Sequence, residues 1–190
     1  LQRIIPPKKK FLNLLRDECT KAGIILIFDE IVTGFRFAYG GAQEYYNVYP
    51  DISTLGKVIG GGFPLAAIAG RKDIMSHFDK EKVGQEGFLM QLGTLSGNPV
   101  AAVAGLKTME IIKRERANNK MRETGQVLMD MFSKKLNEIG VSYQIVGDQT
   151  LFDILFTESE IINYRDISKC DINLYNRFNK ALRANGLFKP

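Results

Sequence analysis

The spacing of apolar residues changes several times along the chain, and each change predicts an element. After Pro6-Pro7, residues Phe11, Leu14, Leu15, Cys19 and Ala22 recur at helical spacing, with Gly23 placed as a left-handed cap. Ile24-Ile25-Leu26-Ile27-Phe28 follows with no polar alternation, the pattern of a strand covered on both faces in a parallel sheet. Asp51 to Leu55 predicts a second short strand, and Phe63 to Ala69 a third, after the triplet Gly60-Gly61-Gly62. Pro99 to Ile112 predicts a helix whose Ala101, Ala102, Ala104 and Gly105 would let a neighbouring backbone come close.

From Asn119 the character shifts. Met121, Leu128, Met131, Phe132, Leu136 and Ile139 predict a second amphipathic helix capped by Gly140. Val141, Tyr143 and Ile145 then alternate with polar residues, and Leu151 to Phe156 is expected to pair with them antiparallel across a Gly147-Asp148 turn. Asp171 is placed to cap a last helix carrying Leu174, Tyr175, Phe178, Ala181 and Leu182, closed at Asn185-Gly186. The expected fold class is α/β: residues 1–112 form the end of a parallel-sheet domain, and residues 113–190 most of a smaller α+β domain. Because the sequence starts at Leu1 and stops at Lys189-Pro190 just after a helix cap, it is expected to be a piece of a longer chain.

Composition narrows the chemistry. At 190 residues and 45% hydrophobic, the chain can bury a core. The net charge of +5 is spread among interleaved acids and bases, as in Lys113-Arg114-Glu115-Arg116, which argues against nucleic-acid binding. The longest strongly apolar stretch, Gly23 to Phe28, falls far short of a membrane span. Cys19 and Cys170 are too far apart in sequence for a CxxC motif, and a reducing, cytoplasmic compartment is expected. With His77 the one histidine, zinc catalysis lacks ligands and the remaining chemistry must rest on Lys, Asp or Tyr.

Three places could carry it. Asp29-Glu30 falls at the carboxyl end of the first strand, where open α/β sheets place ligands; a buried carboxylate there needs a cationic partner, and the alternative is a turn cap. Lys57 lies between apolar residues and against three glycines, so it is expected to be half-buried, where desolvation makes the amine a better nucleophile. The triplet would let a bulky ligand approach the backbone, while Asp51 and Val58 exclude a phosphate-loop motif. Gly93-Thr94-Leu95-Ser96-Gly97-Asn98-Pro99 offers hydroxyls and amides suited to phosphate, with Ser96 or Asn98 as a plain helix cap the alternative. His77 reads as a surface residue, and Tyr39, Tyr45 and Tyr46 as packing or site residues alike.

Phe28-Asp29-Glu30-Ile31-Val32-Thr33-Gly34-Phe35-Arg36, Gly40-Gly41-Ala42-Gln43, Pro50-Asp51, Thr54-Leu55-Gly56-Lys57, Gly70-Arg71 and the 93–99 segment, in this order and spacing, resemble the class III aminotransferases that use pyridoxal phosphate. Gly34-Phe35-Arg36 and Asn163-Tyr164-Arg165-Asp166 are most similar to the aminomutase group of that family, which isomerises glutamate 1-semialdehyde to 5-aminolevulinate for tetrapyrrole biosynthesis. The resemblance implies the fold type I architecture of pyridoxal phosphate enzymes. It implies that Asp29 pairs with the cofactor's pyridine nitrogen, that Ile31 packs on the ring, and that Lys57 carries the cofactor and moves a proton. Thr94 would bind the phosphate of the partner subunit's cofactor in a homodimer. The family's own N-terminal phosphate loop and ring-stacking aromatic have no counterpart in these residues, and Gly186 to Pro190 matches the aminomutases less well, so a transaminase moving an amino group to a keto acid stays open.

Two other function classes fare worse. A lyase using Lys57 without cofactor would have no use for Asp29 at that strand end. A scaffold that had lost catalysis would not need Asp29, Lys57 and Thr94 together.

Overall fold

A computed structural model describes residues 4–8 and 10–188; Leu1 and Lys189-Pro190, on which the expectation of a cut chain rests, lie outside them. The chain divides into two compact units, residues 9–118, and residues 119–190 together with 1–8.

In the 9–118 unit, helix α1 (Phe11–Ala22) ends at Gly23, whose φ of 66° lets the Gly23 and Ile24 amides return to the Thr20 and Cys19 carbonyls. Strand β1 (Ile27–Asp29) leads through a long loop to the short helix α2 (Gly41–Tyr46), then to β2 (Ile52–Leu55), a 3-10 turn over Lys57–Gly60, and β3 (Ala67–Gly70). Short helices α3 (Lys72–Met75) and α4 (Lys80–Gly87) precede the 16-residue α5 (Pro99–Arg114). The sheet order is β1-β2-β3, with β1 parallel to β2 (Ile27 opposite Ile52, Asp29 opposite Thr54).

Two expectations are corrected here. The strand read as Ile24 to Phe28 spans only Ile27–Asp29 and is not covered on both faces, since Ile24, Ile25 and Ile27 are at least half exposed. Among the described residues β1 pairs on one side only, so little shields it. The third strand starts at Ala67 rather than Phe63 and runs antiparallel to β2, because Gly60 to Pro64 are spent in turns. Its last residue must be small: a Cβ on Gly70 would lie 2.5 Å from the Asp51 carbonyl.

The other unit is built on helix α6 (Ala117–Glu138), whose first turn holds the boundary between the two units. A hairpin of β4 (Gln144–Asp148) and β5 (Leu151–Leu155) and the closing helix α7 (Ile172–Ala184) complete it. The hairpin turns at Gln149-Thr150, not at Gly147-Asp148: Asp148 opposes Leu151, and its carboxylate accepts from the Thr150 amide (3.0 Å) and hydroxyl (2.9 Å). Gly147 instead belongs to β4, where a Cβ would come within 2.2 Å of the Leu151 carbonyl. Leu136, Ile154 and Phe156 form one apolar core with Phe132 and Phe178; Val146, Leu155, Ile161 and Cys170 form another with Ile5. As expected, Asp171 caps α7, accepting from the Leu174 amide at 2.8 Å.

Candidate active site

The parallel pair β1 and β2 ends side by side, and their carboxyl ends carry the predicted residues. Asp29, the last residue of β1, is exposed; its Oδ1 accepts from the Ile31 amide at 3.0 Å and faces the Thr54 hydroxyl at 3.5 Å. Among the described residues its Oδ2 takes no hydrogen bond and no cation pairs with it. The buried carboxylate is its neighbour Glu30, 1% exposed. No lysine or arginine is needed to satisfy it. Glu30 accepts from the Ala42 and Gln43 amides, each at 2.9 Å, and from the Thr33 hydroxyl, so the amino end of α2 supplies the positive partial charge. Gly41, at φ 82°, makes room, because a Cβ there would sit 2.7 Å from that carboxylate. Glu30 thereby closes the loop between β1 and α2. Asn118 holds the same loop by donating to the Phe35 and Arg36 carbonyls at 2.9 and 3.1 Å, where Phe35 has a left-handed φ of 58°.

Lys57 follows the carboxyl end of β2. The expectation that it is half-buried fails: its side chain is exposed, without a hydrogen bond or ion pair among the described residues. The cause is local backbone. Gly56 is extended and Lys57 itself left-handed at φ 49°, which turns the lysine outward while Ile59 and Gly60 are buried. Ile31 covers the strand end beside it, with its side chain 3.5 Å from where a Gly56 Cβ would stand. Asp29, Ile31 and Lys57 therefore share one sheet edge. Thr94 is joined to them by no hydrogen bond among the described residues; it stands exposed in the loop before α5, its hydroxyl unpaired. In that loop Asn98 is the helix cap, accepting from the Val100 and Ala101 amides, and Ser96 pairs with Gln91. Two glycines of the triplet pack closely, Gly61 against Thr108 and Gly60 against Leu65, while Gly62 faces open space.

His77 is a surface residue, its Nδ1 2.7 Å from the Gly87 carbonyl oxygen. Tyr45 and Tyr46 pack edge-on to Phe37, and Tyr39 to Phe35. What sequence reasoning missed lies at the opposite end of β2. Asp51, in the quoted Pro50-Asp51 pair, is buried and accepts from the Leu26 amide (2.7 Å), Arg16 (2.8 Å) and Arg71 (3.0 Å). The Leu26 amide, then Arg16 and Arg71, hold its carboxyl far below the usual range. The available signal was an acid entering a buried strand, which demands a cation elsewhere. In the other unit Asp166 closes a capping box with Asn163, and Lys169, with the Ile162 and Asn163 amides, lowers its pKa to about 2.

A parallel strand pair presenting at adjacent carboxyl ends a carboxylate with one free oxygen and an amine that is unpaired among the described residues lies where open α/β sheets place ligands. The chain belongs to the class III aminotransferase family, which it matches over residues 4–188. It is 41% identical over 186 residues to a glutamate-1-semialdehyde 2,1-aminomutase of Methanothermobacter thermautotrophicus, covering 98% of this chain and 43% of that protein. A protein of the same name from Chlorobium phaeobacteroides is 39% identical over 185 residues, covering 97% of this chain and 42% of its own length. The chain thus spans under half the length of these relatives. Among solved structures it is similar to an omega-transaminase from Sphaerobacter thermophilus (TM-score 0.85, 35% identity, 94% of this chain and 40% of that one). A β-phenylalanine aminotransferase from Variovorax paradoxus superposes with a TM-score of 0.86 at 28% identity, over 98% of this chain and 42% of that one. The fold is that of the fold type I pyridoxal phosphate transaminases.

Proposed function

We propose that this chain is part of a pyridoxal phosphate enzyme that converts glutamate 1-semialdehyde to 5-aminolevulinate by moving an amino group within one molecule. The observation that carries the reading is that the Asp29 carboxylate, with one oxygen free, and the Lys57 amine, unpaired among the described residues, stand on one sheet edge of a chain about 40% identical to aminomutases. The residues fit the cofactor: a free carboxylate oxygen for a pyridinium, a branched aliphatic side chain beside it, and an amine with no competing ion pair. When bound, pyridoxal phosphate supplies an electron sink that acidifies the carbon bearing the amine.

Asp29 keeps the pyridine nitrogen protonated through a charge-assisted hydrogen bond. Ile31 packs against a ring face. Lys57 would hold the cofactor through its amine and, when that amine is free, would serve as the base that takes and returns the substrate's proton. Thr94, exposed and unpaired, donates to the phosphate of the partner subunit's cofactor in a cytoplasmic homodimer. Residues 1–112 belong in this reading to the large cofactor-binding domain and 113–190 to the small one, and the remaining phosphate loop and ring-stacking aromatic belong to parts of the relatives that this chain does not cover.

The test uses the gene product expressed in full. Borohydride reduction and peptide mapping should place a pyridoxyl group on Lys57, and glutamate 1-semialdehyde should be isomerised with no added amino acceptor. A label on another lysine would overturn the site. Strict dependence on a keto acid would instead establish the transaminase reading, which the likeness to the omega-transaminase favours.

A further inference from the structure

Lys57 occupies a backbone conformation that side chains avoid. Its φ of 49° lies in the left-handed region, where a Cβ crowds the following carbonyl, although flexible glycines stand at 56, 60 and 61. Such a conformation persists only where the surroundings over-determine it. The surroundings here are helix α5. Gly105 on that helix faces the turn so closely that a Cβ would lie 2.8 Å from the Ile59 carbonyl oxygen and 2.5 Å from Leu65 Cδ2. One turn further along, Thr108 approaches Gly61, where a Cβ would come within 2.1 Å of its hydroxyl oxygen, and that hydroxyl is itself tied to the Ala104 carbonyl at 2.8 Å. The turn is thus held from its inner side while the lysine at its start is exposed.

We propose that Gly105 is a positioning residue for Lys57: the backbone-close contact of α5 with the Lys57–Gly60 turn holds the lysine in its left-handed conformation and so fixes where its amine is presented. The inference rests on the reading that Lys57 is the reacting amine. A bland packing role for Gly105 would stabilise the unit without governing the lysine, and the two roles predict different readouts.

The experiment has two arms on the full gene product. In the first, cofactor-free Lys57→Gly and Lys57→Ala are compared by thermal unfolding. The left-handed cost of a side chain exceeds the extra chain entropy of glycine, so Lys57→Gly should have the higher midpoint, with an unfolding equilibrium shifted about threefold. Equal midpoints, or a more stable Lys57→Ala, overturn the proposal. In the second, pyridoxal phosphate is trapped on Lys57 by borohydride at a temperature where the variants keep the wild-type circular dichroism. Gly105→Ala should be labelled at Lys57 about tenfold more slowly or worse. Should Gly105→Ala fail to fold, Leu65→Ala, which loosens the same contact without a clash, must still slow labelling. Wild-type labelling rates in a folded variant overturn the inference and leave the proposed function standing, whereas a wild-type protein not labelled at Lys57 overturns that function and the inference with it.

Discussion

Removing the Asp51 carboxylate should cost more stability than removing either arginine it binds, and the structure sets the order. Its side chain is 7% exposed, Arg16 21% and Arg71 55%. In Asp51→Ala the Leu26 amide loses its acceptor, at about 1–3 kcal/mol, and a half-shielded bond to Arg16 goes, at about 1.5–3 kcal/mol. The Arg71 pair adds little, since Arg71 is solvated and keeps Asp73 at 2.6 Å. The total is about 2.5–6 kcal/mol, or roughly 10 °C in the unfolding midpoint followed by circular dichroism. Arg16→Ala should fall in between, and Arg71→Ala should be nearly silent. The pH dependence has a definite sign. Because the folded carboxyl is held below its unfolded value of about 3.9, its contribution is complete above that pH and is lost as pH falls below it. The stability gap between wild type and Asp51→Asn should therefore stay constant above about pH 5 and shrink below pH 4; taking the difference between the two proteins cancels other acids such as Asp166. An Arg71→Ala loss equal to that of Arg16→Ala, or a gap undiminished between pH 5 and pH 2.5, would refute this account.

Two further outcomes follow from single positions. Asp29→Asn keeps the shape and removes the charge; losing a charge-assisted bond of about 1.5–3 kcal/mol should lower turnover at least tenfold while borohydride still traps the cofactor on Lys57, and near-normal turnover would show that Asp29 only caps the Ile31 amide. Gly125→Ala, whose Cβ would lie 1.8 Å from the Gln149 carbonyl, should cost roughly 3 kcal/mol in urea unfolding, against about 1 kcal/mol for Gly140→Ala, which has open space and only a φ of 68° to satisfy; equal costs would mean that α6 shifts freely over the hairpin.

Local features were legible in the sequence. Gly23 and Asp171 act within a few residues of themselves, so spacing alone placed the close of α1 and the cap of α7, and it narrowed the cap of α5 to Ser96 or Asn98, of which the structure uses Asn98. Family membership was legible for a related reason: the quoted segments from Phe28 to Pro99 keep their order and spacing whatever surrounds them. Tertiary structure decided which groups face water and which are held. Whether Asp29 or Glu30 is buried depends on the amides of Ala42 and Gln43 arriving from beyond the loop. Whether Asp51 is tolerable depends on Arg16 and Arg71, contributed by separate elements. Under the role proposed for Gly105, the left-handed backbone that turns Lys57 outward is held by a helix that begins only at Pro99. Periodicity records the average side of an element, whereas the burial of one charge is fixed by partners a dozen or more residues away, which no local pattern encodes.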